Sequence, residues 1–219
     1  MDEVRKDCGV IEVEGLTVAF EGQNALDDFS LSVEKGGKIV LEGRSGSGKS
    51  SILKSLLGFI KPKRGGIFID GRPLDGHSVW QLRRLFGYVA QEPQMGAGRT
   101  AELLERPFSY RANSELSFPR SKLLELCERF SFDGKLLEKD VSALSGGEKQ
   151  RAAIMGALLL DRPIYLFDEP TSAMDSHSRT VFTEIIKESG FTALIVSHER
   201  ILCEAADAVV RMPERKPAQ

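Results

Sequence analysis

The chain has 219 residues, of which 41% are hydrophobic and 28% charged, with 30 basic and 32 acidic side chains. A net charge of −2 argues against a dedicated nucleic-acid binder, because such proteins usually carry a basic excess. The three cysteines form no CxxC pair, so the sequence predicts no zinc framework. No segment approaches the ~20 apolar residues of a membrane helix, and we therefore expect a cytoplasmic chain with no nucleic-acid partner.

Strand and helix patterns alternate along most of the chain. Short apolar or alternating runs predict strands, and runs with a helical period predict helices. The predicted strands, in chain order, are 10–20, 29–33, 39–41, 67–69, 88–90, 164–167, 193–196 and 208–212. The predicted helices are 48–57, 79–85, 121–130, 149–160, 181–186 and 201–206. The fully apolar runs at 164–167 and 193–196 are typical of buried parallel strands, so an α/β fold is expected.

The stretch from 92 to 149 has a different character, because strand-like runs are missing from it. Its clearest pattern is the helical spacing of Leu123, Leu124, Cys127 and Phe130. We predict one domain over 10–212, with a helical lobe at 92–149 inserted into a core made of 10–91 and 150–212. The polar ends, 1–9 and 213–219, are expected to be flexible.

A glycine-rich loop lies between the predicted strand 39–41 and the helix after it. The segment GRSGSGKS, 43–50, fits the pattern G-x-x-x-x-G-K-[ST] of a phosphate-binding loop, or P-loop. Its glycines let backbone N–H groups surround a phosphate, and the following helix adds its positive N-terminus. Lys49 would contact the β- and γ-phosphates, and the Ser50 hydroxyl would bind Mg²⁺. The predicted nucleotide-binding residues here are Gly43, Arg44, Ser45, Gly46, Ser47, Gly48, Lys49, Ser50 and Ser51.

Two acidic residues end the apolar strand IYLF at 164–167. Asp168 would hold Mg²⁺, directly or through water. Glu169 would then face the γ-phosphate and orient or deprotonate the attacking water. Beside a P-loop, this pair predicts a catalytic base and a metal ligand.

The segment LSGGE, 144–148, predicts a second anion-binding helix end. Ser145 and Glu148 have the spacing of a capping box at the start of a helix. Such a cap does not need the two adjacent glycines, Gly146 and Gly147, which cost helix stability but expose backbone N–H groups. The chain therefore carries two such helix ends, and one nucleotide lying between them would be shared.

With these motifs in this order, the sequence resembles the ATP-binding cassette ATPases over nearly its whole length. The resemblance implies a P-loop core with an antiparallel β subdomain near the N-terminus, a bound ATP and Mg²⁺. It also implies a head-to-tail dimer, of this chain or with a paired ATPase subunit, with two ATPs at the interface. Each ATP would lie between one subunit's P-loop and the signature of the other, formed by Leu144, Ser145, Gly146, Gly147 and Glu148.

Four further positions match the family's pattern. Phe20 matches the aromatic that stacks on adenine, and Gln91 the glutamine that joins core and lobe and touches Mg²⁺ or the water. Asp175 lies in the segment that resembles the loop crossing the dimer interface. His198 matches the histidine that holds the γ-phosphate. The resemblance therefore makes Glu169, His198 and Gln91 catalytic, and Ser50, Gln91 and Asp168 metal ligands.

Two functions remain open from the sequence. The first is the ATPase subunit of a transporter, peripheral on the cytoplasmic face of a membrane, with a separate membrane permease docked on aromatic residues of 92–119. A narrower similarity is to small bacterial ATPase subunits of metal or iron exporters. The exporter-type TEVGERG segment is absent before the signature, which argues against exporters that fuse membrane and ATPase parts. The second is a soluble cassette ATPase, such as an iron–sulfur assembly partner.

Overall fold

The structure is a computed structural model that describes residues 9–20 and 23–212, without the side chains of Phe20 and Gln23. The predicted flexible ends lie outside these residues, apart from Gly9, which is buried. The strands are β1 (Ile11–Phe20), β2 (Gln23–Val33), β3 (Lys38–Glu42), β4 (Arg64–Ile69), β5 (Arg72–Pro73), β6 (Phe86–Val89), β7 (Ile164–Asp168), β8 (Thr192–Val196) and β9 (Ala208–Arg211). The helices are α1 (Lys49–Leu56), α2 (Val79–Leu82), α3 (Thr100–Glu105), α4 (Arg120–Arg129), α5 (Gly134–Glu138), α6 (Gly146–Leu159), α7 (Ser176–Glu188) and α8 (Arg200–Ala205).

The strands form two sheets, as the α/β prediction requires. β2, β1, β4 and β5 make an antiparallel sheet, in that order. β6, β7, β8, β3 and β9 make a fully parallel sheet. The expected antiparallel subdomain near the N-terminus and the expected parallel core are both confirmed.

Alternate side chains of the parallel strands enter two separate hydrophobic cores. Ile164 and Leu166 of β7 pack with the antiparallel sheet and α1, and Tyr165 and Phe167 pack with α4, α6 and α7. Both faces of the sheet are therefore covered, which explains why β7 and β8 are apolar at nearly every position. The sheet is fixed between two layers, so the loops at its edge are carried by a rigid frame.

Between β6 and α6 the described chain contains short helices and no ladder strand, as predicted for a helical lobe. One face of α4 is buried through Leu123, Leu126 and Cys127, and Phe130 follows on the same side. The assignment of Leu124 to this face was wrong, because its side chain is 66% exposed. A helical period of 3.6 places residue 126, and not residue 124, beside 123 and 127.

Helix α6 begins immediately after Ser145, three residues before its predicted start at 149. The capping box determines this start, so the helix runs without a break across the predicted boundary between lobe and core at 149/150. The side chain of Trp80 is 70% exposed. Its ring lies 4.8 Å from the Arg83 guanidinium, and the exposed Phe59 ring lies 4.7 Å from the same group.

Candidate nucleotide-binding site

The carboxyl ends of β3, β7 and β8 meet at one edge of the parallel sheet. Leu41 and Asp168 both pair with Val196, so the three strands end at the same level. The residues that follow them are the P-loop, Glu169 and the segment leading to His198. Ligands of open parallel sheets bind outside this edge, because the strand ends and helix N-termini converge there.

A cavity of about 1040 Å³ opens at this edge, and we call it the P-loop cavity. It collects every predicted nucleotide-binding residue from 43 to 51 except the buried Ser47. It also collects Gln91, Asp168, Glu169 and His198, which are up to 155 positions from the loop in sequence but share its cavity. The remaining residues that line it are Ala25, Glu42, Ser172, Val196, Arg211 and Met212.

The P-loop needs glycine at two positions for different reasons. Gly48 has a φ of +95°, and a Cβ there would lie 2.6 Å from the backbone oxygen of Ala25. At Gly43 a Cβ would lie 2.8 Å from the Met212 side chain. Neither contact is tolerable for a larger residue, so the loop is packed tightly between β2 and Met212, the residue after β9.

Lys49 turns its ammonium into the P-loop. Its Nζ donates to the backbone oxygens of Gly43, at 2.6 Å, and Arg44, at 2.9 Å. The charge is therefore held at the mouth of α1, where an arriving phosphate would meet both the ammonium and the helix N-terminus.

Asp168 is buried at the end of β7 and accepts a hydrogen bond from the Ser50 hydroxyl, 3.1 Å from its Oδ1. Burial raises the pKa of this carboxyl above its ordinary value, and the Ser50 bond and the nearby Lys54 and Lys49 oppose that rise. A buried carboxylate beside a hydroxyl offers the hard oxygen ligands that Mg²⁺ prefers.

Glu169 follows with a φ of +47°, a left-handed backbone conformation that is uncommon for a residue with a side chain. Its N–H donates to the backbone oxygen of Val196 at 2.9 Å, which holds this turn against β8. The carboxylate Oε2 lies 3.2 Å from Nδ1 of His198. The strained turn thus places the predicted base and the predicted γ-phosphate ligand side by side.

The signature segment has the capping box that its spacing predicts. Ser145 Oγ accepts from the Glu148 N–H at 3.3 Å, and Glu148 Oε2 accepts from the Ser145 N–H at 2.7 Å. This second bond is the main reason that the pKa of Glu148 is lowered. Within the described chain the N–H groups of Gly146 and Gly147 have no partner, so they are available to an anion.

The two anion-binding ends do not share a cavity within one chain. None of the five signature residues lines the P-loop cavity, whereas Gly146 lines a separate cavity of about 430 Å³. Gly147 is pressed against the 171–175 segment, because a Cβ on it would lie 2.7 Å from the backbone oxygen of Ala173. The signature therefore packs against this neighbouring segment, whose Ser172 lines the P-loop cavity.

Asp175, predicted to lie in the interface loop, has contacts within its own chain. It caps α7 by accepting from the Ser178 N–H at 2.8 Å, and its Oδ2 lies 3.0 Å from Nη1 of Arg151 in α6. The bond from Ser178 is the first cause of its lowered pKa. The loop carrying Asp175 is thus fixed to the signature helix.

The family model described as ABC transporter matches residues 26–172, about two thirds of the chain. The chain belongs to the ABC transporter family. Among its relatives, the ATP-dependent lipid A-core flippase of Hahella chejuensis (strain KCTC 2396) is 33% identical over 94% of this chain. The macrolide export ATP-binding/permease protein MacB of Shewanella sp. (strain W3-18-1) is 31% identical over 94% of it.

This ABC chain spans only 37% and 34% of the length of those two relatives. A solved structure of matching size is the dimeric, post-hydrolysis state of the ATP-binding cassette MJ0796 bound to ADP and Pi. It is 26% identical, with a TM-score of 0.78, over 92% of this chain and 94% of the cassette. The chain is therefore an ATP-binding cassette ATPase domain, as the motif order predicts.

Some residues of the ABC site were not found by sequence reasoning. Met212 packs against Gly43, and Arg211 lies 3.2 Å from Glu42 beside the cavity. The strand that carries them was predicted, but its place beside β3 follows only from the sheet order. Conversely, Phe20 ends β1 with its side chain outside the described residues, so its adenine contact stays a prediction.

Two kinds of feature are absent from residues 9–20 and 23–212. They contain no helix that is long and apolar enough to cross a bilayer. They also contain no cluster of three or more His, Cys, Asp or Glu side chains able to hold a metal ion.

Proposed function

We propose that this chain binds ATP in the P-loop cavity, hydrolyses it within an ATP-bound dimer, and so powers solute transport through a membrane partner. The observation that carries the proposal is the meeting of Lys49, Ser50, Asp168, Glu169 and His198 around one cavity. Its family membership and the ADP- and Pi-bound cassette of similar size support the same function.

ATP recognition would begin with the triphosphate. The N–H groups of 43–51 and the N-terminus of α1 would surround the β-phosphate, and Lys49 would exchange its two carbonyl partners for phosphate oxygens. Phe20 would stack on the adenine. Asp168, Ser50 and the Gln91 side chain fit Mg²⁺, because all three offer oxygen atoms to the same cavity. Bound there, the ion would neutralise charge on the β- and γ-phosphates.

Glu169 would act as the general base. Its carboxylate would take a proton from water while the water oxygen bonds to the γ-phosphorus and the bond to the ADP oxygen breaks. His198, 3.2 Å away and 72% exposed, would turn from Glu169 to donate to the γ-phosphate. Gln91 would help to hold the water in line.

The second half of each site would come from another subunit. The free N–H groups of Gly146 and Gly147 lie outside the P-loop cavity, so they would bind the γ-phosphate held by a partner's P-loop. Asp175 would stand at the same interface. The proposed assembly is a head-to-tail dimer, or a pair with a related ATPase subunit, and the dimeric MJ0796 cassette supports it.

A docking groove for the membrane partner lies between core and lobe. This groove has a volume of about 490 Å³ and is lined by β6, the segment after Gln91, α3 and α6. Tyr110, 52% exposed, stands on its rim. Phe108 and Phe118 instead pack edge to face at 5.2 Å against the lobe core, so of the three aromatics Tyr110 fits docking best.

We propose export as the direction of transport, with this chain on the cytoplasmic face of the membrane. The names of two relatives, a flippase and a macrolide export protein, support export. These similarities also weaken the argument against fused exporters, because this chain is similar to exporters although it lacks the TEVGERG segment. A metal ion or another small solute remains the proposed cargo class.

The test of nucleotide binding is Lys49→Ala. Charge-assisted contacts contribute about 1.5–3 kcal/mol, so affinity for ATP should fall roughly tenfold or more by calorimetry. Lys35→Ala, which changes a lysine outside the P-loop cavity, is the matched control and should bind ATP as the parent does. Equal affinity in Lys49→Ala and the parent would contradict the P-loop assignment.

The test of transport is co-purification in detergent. The tagged chain should retain a multi-span membrane protein, and Tyr110→Asp in the docking groove should release it. Retention only of soluble iron–sulfur assembly proteins would instead support the alternative function.

A further inference from the structure

Gln150 is a buried amide whose donor has no acceptor. It lies in the first half of α6 with 1% of its surface exposed, and its Nε2 makes no hydrogen bond. A buried donor without a partner is destabilising, and native proteins keep few of them. This one therefore calls for an explanation outside the packing of α6.

The cavity around Gln150 supplies unused acceptors. It has a volume of about 430 Å³ and is lined by the 91–96 segment, Val141, Ser142, the start of α6 and Ala173. Residues 91–96 have no helix or strand, and Gly96 has a φ of +87°. Among the residues that the structure describes, no backbone carbonyl of 92–96 accepts a hydrogen bond. The unpaired Nε2 of Gln150 and the unpaired backbone carbonyls of 92–96 therefore belong to residues that line the same cavity.

The same segment also reaches the nucleotide. Gln91 lines both the P-loop cavity and the cavity of Gln150, so it lies between them. A shift of the 91–96 backbone toward α6 would move Gln91, which faces the proposed Mg²⁺ site. The same shift would bring a backbone carbonyl of this segment to the side-chain amide of Gln150, which lies one helical turn from the signature glycines.

We propose that Gln150 is a positioning residue: in the ATP-bound state its Nε2 donates to a backbone carbonyl of 92–96 and fixes the Gln91 segment to the signature helix. This inference rests on the proposed function. In the structure the Gln150 donor is unpaired, and the proposed ATP-bound dimer would satisfy it. The bond would couple two sites of one chain. The first is the ATP bound at its own P-loop, and the second is the signature that it offers to the partner's ATP.

The test is Gln150→Leu, which keeps the volume and helix propensity and removes the donor. It is made in a Glu169→Gln background so that ATP is not consumed. Without nucleotide the variant should melt at the same or a higher temperature, because an unsatisfied group is lost. With ATP and Mg²⁺ its dimerisation should be roughly fivefold weaker, the size of one or two lost hydrogen bonds. ATP affinity of the monomer should stay within about twofold.

Ser55→Ala is the matched control. The Ser55 hydroxyl is also buried and unpartnered, but it lies in α1 and lines neither cavity. It should leave ATP-driven dimerisation unchanged. A second readout is hydrogen exchange of 91–96, which ATP should slow in the Glu169→Gln parent and not in the Gln150→Leu variant.

Three results would overturn the proposal. Normal ATP-driven dimerisation of Gln150→Leu would show that the proposed bond does not form. Unchanged hydrogen exchange of 91–96 on adding ATP to the Glu169→Gln parent would show the same. A lower melting temperature without nucleotide assigns Gln150 a purely structural role. Failure of the Glu169→Gln parent itself to dimerise would instead refute the proposed dimer, and with it the state in which this bond forms.

Discussion

At the scale of single residues, the site concentrates conformational and electrostatic strain at two adjacent positions. Asp168 is a buried carboxyl with a raised pKa, and Glu169 holds a left-handed backbone. Such strain persists only where the surrounding structure enforces it, and it is common at functional sites. Each residue therefore yields a substitution that separates function from stability.

Glu169→Gln should bind ATP and hydrolyse it at least about 100-fold more slowly, because the amide keeps the shape of the base and loses its proton affinity. An ATP-bound dimer should accumulate and elute early in gel filtration with Mg²⁺. Glu199→Gln, one residue beyond His198, serves as the control and should turn over normally. Near-normal turnover in Glu169→Gln would remove Glu169 from its role.

Asp168→Asn should stabilise the nucleotide-free protein and impair Mg²⁺-dependent hydrolysis. Because the folded-state pKa is raised, the ionised carboxyl opposes folding, and stability falls as pH rises from the ordinary aspartate pKa through the folded one. The full penalty is present once the pH exceeds the folded-state pKa. Asparagine keeps the acceptor for Ser50, so the melting temperature should rise by roughly 2–4 °C, the shift that about 1 kcal/mol produces at this size. A fall in melting temperature at pH 7 would contradict this account.

At the scale of elements, the sequence predicts well those helices, strands and loops that a local residue pattern determines. The P-loop is a contiguous motif, and the apolar runs of β7 and β8 require two covered faces. Helix α6 begins three residues before its predicted start at 149, because the capping box holds Gly146 and Gly147 in the first helical turn despite their low helix propensity. Nothing in the sequence gives the strand order, so Met212 and Arg211 could not be placed beside the P-loop.

The signature glycines give a matched pair of substitutions. A Cβ on Gly147 would lie 2.7 Å from the Ala173 oxygen, whereas a Cβ on Gly146 would meet nothing nearer than 4.0 Å. Gly147→Ala should destabilise the protein by about 1–3 kcal/mol through this clash, measured by urea unfolding. Gly146→Ala should be neutral or slightly stabilising, since alanine favours helices. Equal effects would show that the 171–175 segment is not packed against the signature as described.

At the scale of the whole molecule, the P-loop and the signature occupy separate surfaces of one chain. The parallel sheet carries the P-loop, Asp168 and His198 at one edge, and the capped start of α6 presents the signature outside the P-loop cavity. We therefore propose that a complete site needs two chains. This is the central claim, and no substitution in a single homodimer tests it, because both sites then carry the same defect.

The direct measurement mixes two inactive variants, Lys49→Ala and Ser145→Arg. In their mixed dimer one site combines the intact P-loop of the Ser145→Arg chain with the intact signature of the Lys49→Ala chain, and the other site holds both lesions. With both proteins shown to be folded by circular dichroism, mixing should restore ATP-dependent dimerisation that neither shows alone, measured by analytical ultracentrifugation. If each chain held a complete site, mixing would restore nothing, and that result would contradict the head-to-tail dimer.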